Sequence, residues 1–563
     1  MKFEENTLYF GDCLQIMRGW SSECADLVYL DPPFNSDANY NNIFKGSGLF
    51  GKSLNPQVKA YEDIWTWSDE AFDRLERVKN AAANPASKVI QGFELFMPRS
   101  KMLSYTSYMA ERLFECWRVL KPTGSLYLHC DPTANSYLRV IMDAIFGEKN
   151  FRNEIVWKRT SSHNSAKRWG PIHDTLLYYS KTEQCAWNRV LQSFTQDHID
   201  KFYPFEDEKG VFTTSDLTGS GKRSGDSGKA WRNYNPAQSG RGRHWALPPD
   251  RSFPDWFVFP DGYAQLKPRE KLDVLDQQGL IHWPKKEGGQ PRFKRYLTEK
   301  SGQPLQSLIL DIPPTPKNEQ LGYPTQKPLA LLDRIIRASS NEGDIVLDPF
   351  CGCGTSTESA LNNKRLAVGI DIYAPALNLI NDLRIVPQGR PALPVKGAPT
   401  NLTEARFLHT QDPYMFQDWA VSLIPGLAVN PKKSGDGGVD GAGVMASKPV
   451  NCDLRGVIAE VTGSPGSQVG KYRALKGVLD DNEAAMGILI TLETQTKWRE
   501  WEQGSKRPSV EVSGRAYPSM QPFSIQEYFE KQGDWKRVIE LPLMLDPFTG
   551  KPARQNLFSD IAS

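Results

Sequence analysis

Short apolar runs closed by acids or glycines alternate along this chain with segments whose apolar residues recur every three or four positions. The run at 27–30 lies between Asp26 and Asp31 and reads as a buried strand. Before it, Gly11-Asp12-Cys13-Leu14 reads as a turn into a short helix. Residues 104–120 carry Met109, Leu113, Trp117 and Leu120 at helical spacing, the turn Lys121-Pro122-Thr123-Gly124 ends them, and 125–130 returns as a strand. Leu138, Ile141, Met142 and Ile145 mark another helix, stopped by Gly147. Between these elements, 35–100 is rich in Asn, Gly, Ser and Pro, and its length predicts a functional lid or a disordered connection. Helix alternating with strand predicts a parallel, doubly wound α/β sheet.

From 153 the texture changes. Runs at 154–159 and 175–179 read as strands, and 209–245 holds seven Lys/Arg against two Asp, with Trp231, Tyr234 and Trp245 among them. Basic residues interleaved with aromatics supply phosphate contact and base stacking. Trp157, Lys158, Arg159, Lys222, Arg223, Arg241 and Arg243 are therefore the candidate nucleic-acid contacts, with a solvated loop as the other reading of such a charge run.

The alternation then resumes. Tyr323-Pro324-Thr325-Gln326-Lys327-Pro328 precedes a helix marked by Leu329, Leu332, Ile335 and Ile336. Residues 344–355 give a strand, Asp348, and a turn Phe350-Cys351-Gly352-Cys353-Gly354-Thr355 that opens a helix. Glycine lets a backbone approach a ligand closely, and an acid about 20 residues further on binds ribose hydroxyls in dinucleotide folds; Asp371 ends the next strand 23 residues after Asp348. The turn is G-x-G, without G-x-G-x-x-G or a P-loop lysine, which disfavours ATP and weakens the case for NAD. Asp31-Pro32-Pro33-Phe34 is the other marked turn. Proline fixes φ and leaves carbonyls free to accept, so such a turn could hold an amino group and stack a flat ring.

Length and composition bound these readings. The 563 residues call for two to four domains, and 39% hydrophobic with 24% charged residues is ordinary for a soluble globular protein. No apolar run approaches 18 residues, and Met1-Lys2-Phe3-Glu4-Glu5 lacks the apolar core of a signal peptide. The eight cysteines show no zinc spacing, so a reducing cytoplasm is expected, with no membrane association and no metal. Net charge is +2, so any basic surface is local.

Asp31-Pro32-Pro33-Phe34, Asp348-Pro349-Phe350-x-Gly352-x-Gly354-Thr355 and Thr325-Gln326-Lys327-Pro328 together resemble the signature set of S-adenosylmethionine-dependent DNA amino-methyltransferases. The catalytic tetrapeptide precedes the cofactor turn by 317 residues, a circularly permuted order similar to the family's beta class. The resemblance implies a Rossmann-like methyltransferase sheet with an inserted target-recognition region, S-adenosyl-L-methionine as cofactor and double-stranded DNA as partner, and a homodimer is compatible with it. It implies that Asp31 and the Pro32 carbonyl accept the two N–H bonds of an exocyclic amine, that Pro33 stiffens the turn, and that Phe34 stacks the flipped base. Asp371 would bind the cofactor ribose and Asp12 the adenine end. Phe350, Gly352, Gly354 and Thr355 would line the methionine side, with Lys327 near its carboxylate, and Asp348 and Thr325 would also bind the cofactor. Asp12 and Lys327 also read as a turn cap and a surface charge, and His129 as a pocket or structural histidine. Asp before Pro-Pro resembles the adenine-N6 subset, with cytosine-N4 as the alternative.

Pro387, Pro391, Pro394 and Pro399 mark a linker to a smaller α/β domain. There, a helix at 414–424, a tight turn with Asp440, strands at 457–462 and 487–492 and a helix at 468–479 resemble the PD-(D/E)xK nuclease superfamily. Asp440 and Glu460 match its two acids, whereas Thr462 stands at the lysine position. A DNA-contacting or structural module is expected from that departure, Lys471 or Lys476 being the candidate substitutes, and a bifunctional methyltransferase and endonuclease is the alternative. The expected division is 1–152 catalytic half, 153–320 target-recognition insert, 321–386 cofactor half, 387–403 linker, 404–530 nuclease-like domain and 531–563 tail.

Overall fold

The computed structural model describes residues 3–33, 65, 67–160, 169–238, 242–285, 289–298, 301–321, 323, 325–430, 437–446, 454–505, 507–546 and 553. Two compact units emerge: Arg189–Leu305 is one, and the chain on both sides of it forms the other.

The larger unit is built on a nine-stranded sheet. Its order is Leu308–Ile309, Phe151–Lys158, His173–Ser180, Leu120–Cys130, Ala25–Leu30, Ile345–Asp348, Leu366–Asp371, Thr7–Phe10 and Val395–Lys396. His173–Ser180 runs antiparallel to both its neighbours, and the other paired strands are parallel. Ala25–Leu30 sits in the middle and is buried on both faces, which explains its unbroken apolar run. Val28 and Leu30 pack with residues of the helices Lys101–Val119 and Asn135–Phe146, whereas Leu27 and Tyr29 meet Leu331, Leu332 and Ile335 of Leu329–Ser339. Burial of each such side chain contributes about 1.5–3 kcal/mol.

Several expected boundaries differ. The strands of 151–180, assigned to the insert, belong to the large sheet, because Phe151–Lys158 and His173–Ser180 extend it edgewise from Leu120–Cys130. Within the linker, Val395–Lys396 pairs with Leu8 and Tyr9. In the connection at 35–100, Asp69–Asn80 and Ser87–Phe96 are helices. Ser68 caps the first of them, accepting from the Ala71 N–H at 3.2 Å, and Leu75 and Val78 bury into the core around Lys101–Val119. The lid reading for 35–64 falls outside the described residues.

Arg189–Leu305 carries a four-stranded antiparallel sheet, ordered Ile281–His282, Arg292–Tyr296, Gly210–Asp216 and Phe205–Asp207. Its core is aromatic: Phe212, Trp231, Trp245, Phe257 and Phe293 are buried together. This corrects the view of 209–245 as a flexible stacking segment, because Trp231 and Trp245 hold the unit's interior.

The C-terminal sheet orders Leu427–Val429, Gly441–Ala446, Leu454–Thr462, Met486–Thr491 and Met520–Ser524, with Leu543–Met544 pairing back onto Met445 and Ala446. Residues 531–546, expected as tail, are thus partly folded, and Trp535, Ile539 and Met544 are buried. One apolar cluster runs from Leu8, Phe10, Leu377 and Ile380 into Trp419, Ile424, Leu427 and Phe523. The second sheet therefore shares a continuous core with the cofactor side of the first.

Candidate active site

The parallel strands end along one edge, and each of four neighbours delivers a carboxylate there. Register pairs Leu347 with Val28 and Phe10 with Asp371. Asp31 follows its strand, Asp348 and Asp371 end theirs, and Asp12 lies two residues beyond Phe10. All four line a cavity of about 200 Å³. The carboxyl edge where strand connections reverse direction is where α/β sheets bind ligands.

Asp31 is held asymmetrically. Its Oδ2 accepts from the Lys327 ammonium, while Oδ1 is buried without a hydrogen-bond partner among the described residues. Pro33 lines the cavity with it, and Pro32 is buried. Phe34 lies outside the described residues, as do Pro324 and Arg241. Lys327, expected near a cofactor carboxylate, donates within the protein to Asp31 and to the Thr325 carbonyl, the latter at 3.2 Å.

The glycine turn is shaped by backbone constraint. Gly352 and Gly354 adopt φ of +47° and +73°, and a Cβ on Gly354 would come 2.5 Å from Ile380. Only glycine takes such a position without strain. Asp371 accepts from the Gly352 and Tyr373 N–H groups, each at 2.8 Å, and burial pushes its carboxyl up to about 6. Asp348 is more deeply enclosed. It accepts from the Phe350 N–H at 3.0 Å and from the Ser356 hydroxyl, and burial pushes it up to about 7 despite those bonds. Phe350 and Thr355 face the cavity, and Cys351 and Cys353 are buried against it. Such perturbed acids in a cleft mark functional sites.

Asp12 serves as a cap and an anchor: it accepts from the Leu14 N–H at 2.9 Å and receives Arg112 at 2.7 and 2.8 Å. The Arg112 guanidinium lies 3.3 Å from the centre of the Tyr108 ring, which forms a cavity wall with Trp65 and Tyr323. Sequence reasoning missed Tyr108 and Arg112, although their i,i+4 spacing on a helix is the signal that stacks such a pair. It also missed Arg384, which donates to the Cys353 carbonyl at 2.6 Å and to Thr355 Oγ1 at 3.0 Å and pairs with Glu358. No local pattern points to that arginine.

His129 is a buried structural link. Its Nδ1 meets the Tyr29 hydroxyl at 3.1 Å and its Nε2 meets Asp174 at 3.2 Å. Burial alone would raise Asp174, but the hydrogen bond and charge of His129, with Lys327 and Arg159, carry it below the usual carboxylate range. Arg159 pairs with Asp174 at 3.3 Å.

Of the expected DNA contacts, Trp157 is corrected: at 3% exposure it is a core residue, donating to the Ile312 carbonyl at 2.9 Å. Its position on the inward face of an edge-side strand explains this. Lys158, Lys222 and Arg223 are exposed. Arg243 pairs with Asp216 at 2.9 Å.

In the C-terminal sheet, Asp440 accepts from the Val461 N–H at 2.6 Å and from the Gln417 amide, and so stands beside Glu460 on the neighbouring strand. Lys471, from the helix Val469–Asp481, donates to Glu460 Oε1 at 2.7 Å. Thr462 is buried at the strand end. Among the described residues, no group of three or more His, Cys, Asp or Glu could hold a metal ion, and no helix is long and apolar enough to cross a membrane.

The mixed sheet, its glycine turn and the acid-lined cavity fit one class, and the sequence model for DNA methylases matches residues 25–382. The chain belongs to that family. It is 33% identical over 271 residues to the Type II methyltransferase M.EcaI of Enterobacter cloacae, covering 48% of this chain and 54% of that protein. It is 27% identical over 378 residues to the Mod subunit of the Type III restriction-modification enzyme StyLTI of Salmonella typhimurium, covering 64% and 50%. Similarity also extends over 377 residues, at 23% identity, to the DNA adenine methyltransferase YhdJ of Escherichia coli, covering 67% and 81%. The chain spans about half the length of the first two relatives.

Proposed function

We propose that this protein transfers a methyl group from S-adenosyl-L-methionine to the N6 amino group of adenine in double-stranded DNA, in a restriction-modification setting. The observation that carries this reading is the Asp31 carboxylate, which lines the cavity with the glycine turn and has one buried oxygen without a hydrogen-bond partner among the described residues. An exocyclic amine delocalises its lone pair into the base and is a poor nucleophile. Asp31 Oδ1 and the Pro32 carbonyl would accept its two N–H bonds and favour the tetrahedral nitrogen, by proximity and fixed dipoles rather than by a strong base.

The residues present fit the cofactor. Asp371 lines the cavity and suits ribose hydroxyls, and Gly352 brings backbone to the same wall. Tyr108 and Tyr323 supply flat walls. When bound, S-adenosyl-L-methionine supplies an electrophilic methyl group on a sulfonium. Exposed Lys158, Lys222 and Arg223 suit phosphate contact, which positions a duplex without reading its sequence. The adenine assignment is supported by the Asp-Pro-Pro order and by the similarity to an enzyme named a DNA adenine methyltransferase. Nucleoside mass spectrometry of DNA treated with protein and cofactor tests it: N6-methyladenine is expected, and N4-methylcytosine alone would sink the assignment.

A second reading, a bifunctional protein that also cuts DNA, is favoured by one contact. Lys471 reaches Glu460 beside Asp440 and so supplies a lysine that Thr462 lacks. Magnesium-dependent nicking of unmethylated plasmid, lost in Asp440→Ala, would support it; intact plasmid would leave the domain as a non-cutting module.

A further inference from the structure

The two oxygens of Asp31 have different surroundings. Oδ2 takes the Lys327 ammonium, and Oδ1 is buried with no hydrogen-bond partner among the described residues. The lysine is itself buried, with 9% of its side chain exposed. It is also the one Lys or Arg among the described residues lining a cavity with four aspartates. A terminal carboxylate torsion is broad and roughly two-fold, so an unpinned aspartate samples many orientations. An ammonium on one oxygen, shielded from water, removes that freedom, because charge pairs strengthen as the local dielectric falls.

The strap that carries the lysine is braced by hydrogen bonds of its own. Gln326 accepts from the Leu321 N–H at 2.8 Å, donates to the Glu319 carbonyl at 2.8 Å, and offers its own carbonyl to Thr315 Oγ1 at 2.9 Å. Glu319 in turn accepts from the Leu329 N–H at 2.7 Å, where the next helix begins. Four hydrogen bonds within a few residues hold the strap beside Asp31.

We propose that Lys327 is a positioning residue for Asp31: it pins Oδ2 so that Oδ1 alone is presented to the incoming amine. This deepens the proposed methyl transfer and rests on it. It differs from the expectation that Lys327 binds the cofactor carboxylate, and the two assignments give opposite kinetic signatures. An acceptor that is aimed before the substrate arrives acts on turnover, whereas a cofactor ligand acts on cofactor affinity.

The test uses the full chain, S-adenosyl-L-methionine and unmethylated bacterial genomic DNA. Turnover is read by methyl incorporation, and cofactor Kd is read separately by calorimetry without DNA. Lys327→Met is expected to lower kcat about 100-fold, a magnitude typical of losing one preorganised group, while cofactor Kd stays within about threefold. Lys327→Arg restores charge but not reach, and is expected to recover part of kcat. If Lys327→Met does not fold, Lys327→Arg decides alone. A larger change in kcat than in Kd supports the proposal; a larger change in Kd, or no change in either, overturns it. Wild-type protein that binds cofactor yet methylates nothing would count against the proposed function instead.

Discussion

Two strand ends in this molecule carry an acid gripped by a lysine from another element, Asp31 by Lys327 and Glu460 by Lys471. On paper they look alike. The first lysine is 9% exposed and faces a cavity, whereas the second is 53% exposed. Asp31 has one buried oxygen without a hydrogen-bond partner among the described residues, while Asp440, beside the second pair, accepts from a backbone amide and the Gln417 side chain. Enclosure of the lysine, not of the acid, therefore separates the two pairs, because the Glu460 side chain is 5% exposed and that of Asp31 is 14% exposed. An ammonium reached by water holds its acid less firmly than one enclosed with it.

The largest expected effect breaks that contrast or secures it. Asp31→Asn should cut methyl incorporation by at least about 1000-fold with cofactor Kd nearly unchanged, because the amide turns a donor toward the amine. Asp440→Asn, at the second strand end, should leave methyl transfer within about twofold. Equal losses in the two variants would show that the C-terminal site acts on the chemistry.

A second pair of variants compares backbone rather than charge. Gly354→Ala puts a Cβ 2.5 Å from Ile380 at a φ of +73°, so it combines overpacking with strain and should cost about 2–4 kcal/mol in chemical denaturation and weaken cofactor binding. Gly466→Ala has a similar φ, +81°, with nothing within 4 Å, and should cost about 1 kcal/mol. A smaller loss at Gly354 than at Gly466 would mean that the turn relaxes and is not a rigid cradle.

The pH dependence of the cavity follows from Asp348. Its folded-state pKa is raised from 3.8 to about 7, so the folded protein holds this proton more tightly than the unfolded chain. Its contribution is present in full below the unfolded value and is lost as pH climbs through the folded one. The melting temperature of wild type should therefore fall relative to Asp348→Asn as pH rises from about 4 to about 8. A constant difference across that range would mean that Asp348 titrates normally.

Much of the larger unit was legible because its physics is local. Leu27 to Leu30 had to be a strand buried on both faces, and the glycine turn announced itself by residue types that only one conformation needs. What stayed hidden depends on long-range contact. Trp157 read as a DNA contact because an exposed and an inward tryptophan look the same in sequence; its bond to Ile312, 155 positions away, makes it core. Trp231 and Trp245 misled for the same reason. Asp69–Asn80 escaped notice because its apolar stripe is thin, and Arg384 because it meets the turn across 31 residues. Lys327 was placed in the cavity, but its bond to Asp31 was not foreseen, since spacing reports proximity to a site and not which atom is touched.

The smallest effect is expected at the exposed pair. Lys471→Ala removes one salt bridge whose lysine is half in water, worth about 0–1 kcal/mol, so the melting temperature should shift by no more than about 2 °C. Lys327→Met should shift it further, because its lysine is 9% exposed against 53% for Lys471, so water replaces the lost ammonium less readily. The same Lys471→Ala protein, incubated with unmethylated plasmid and magnesium, separates structure from chemistry. Should the wild type nick DNA and this variant not, at unchanged stability, the exposed lysine would be chemical rather than structural. Half-exposure would then reflect access for a duplex, and the contrast between the two strand ends would become one of ligand size instead of enclosure.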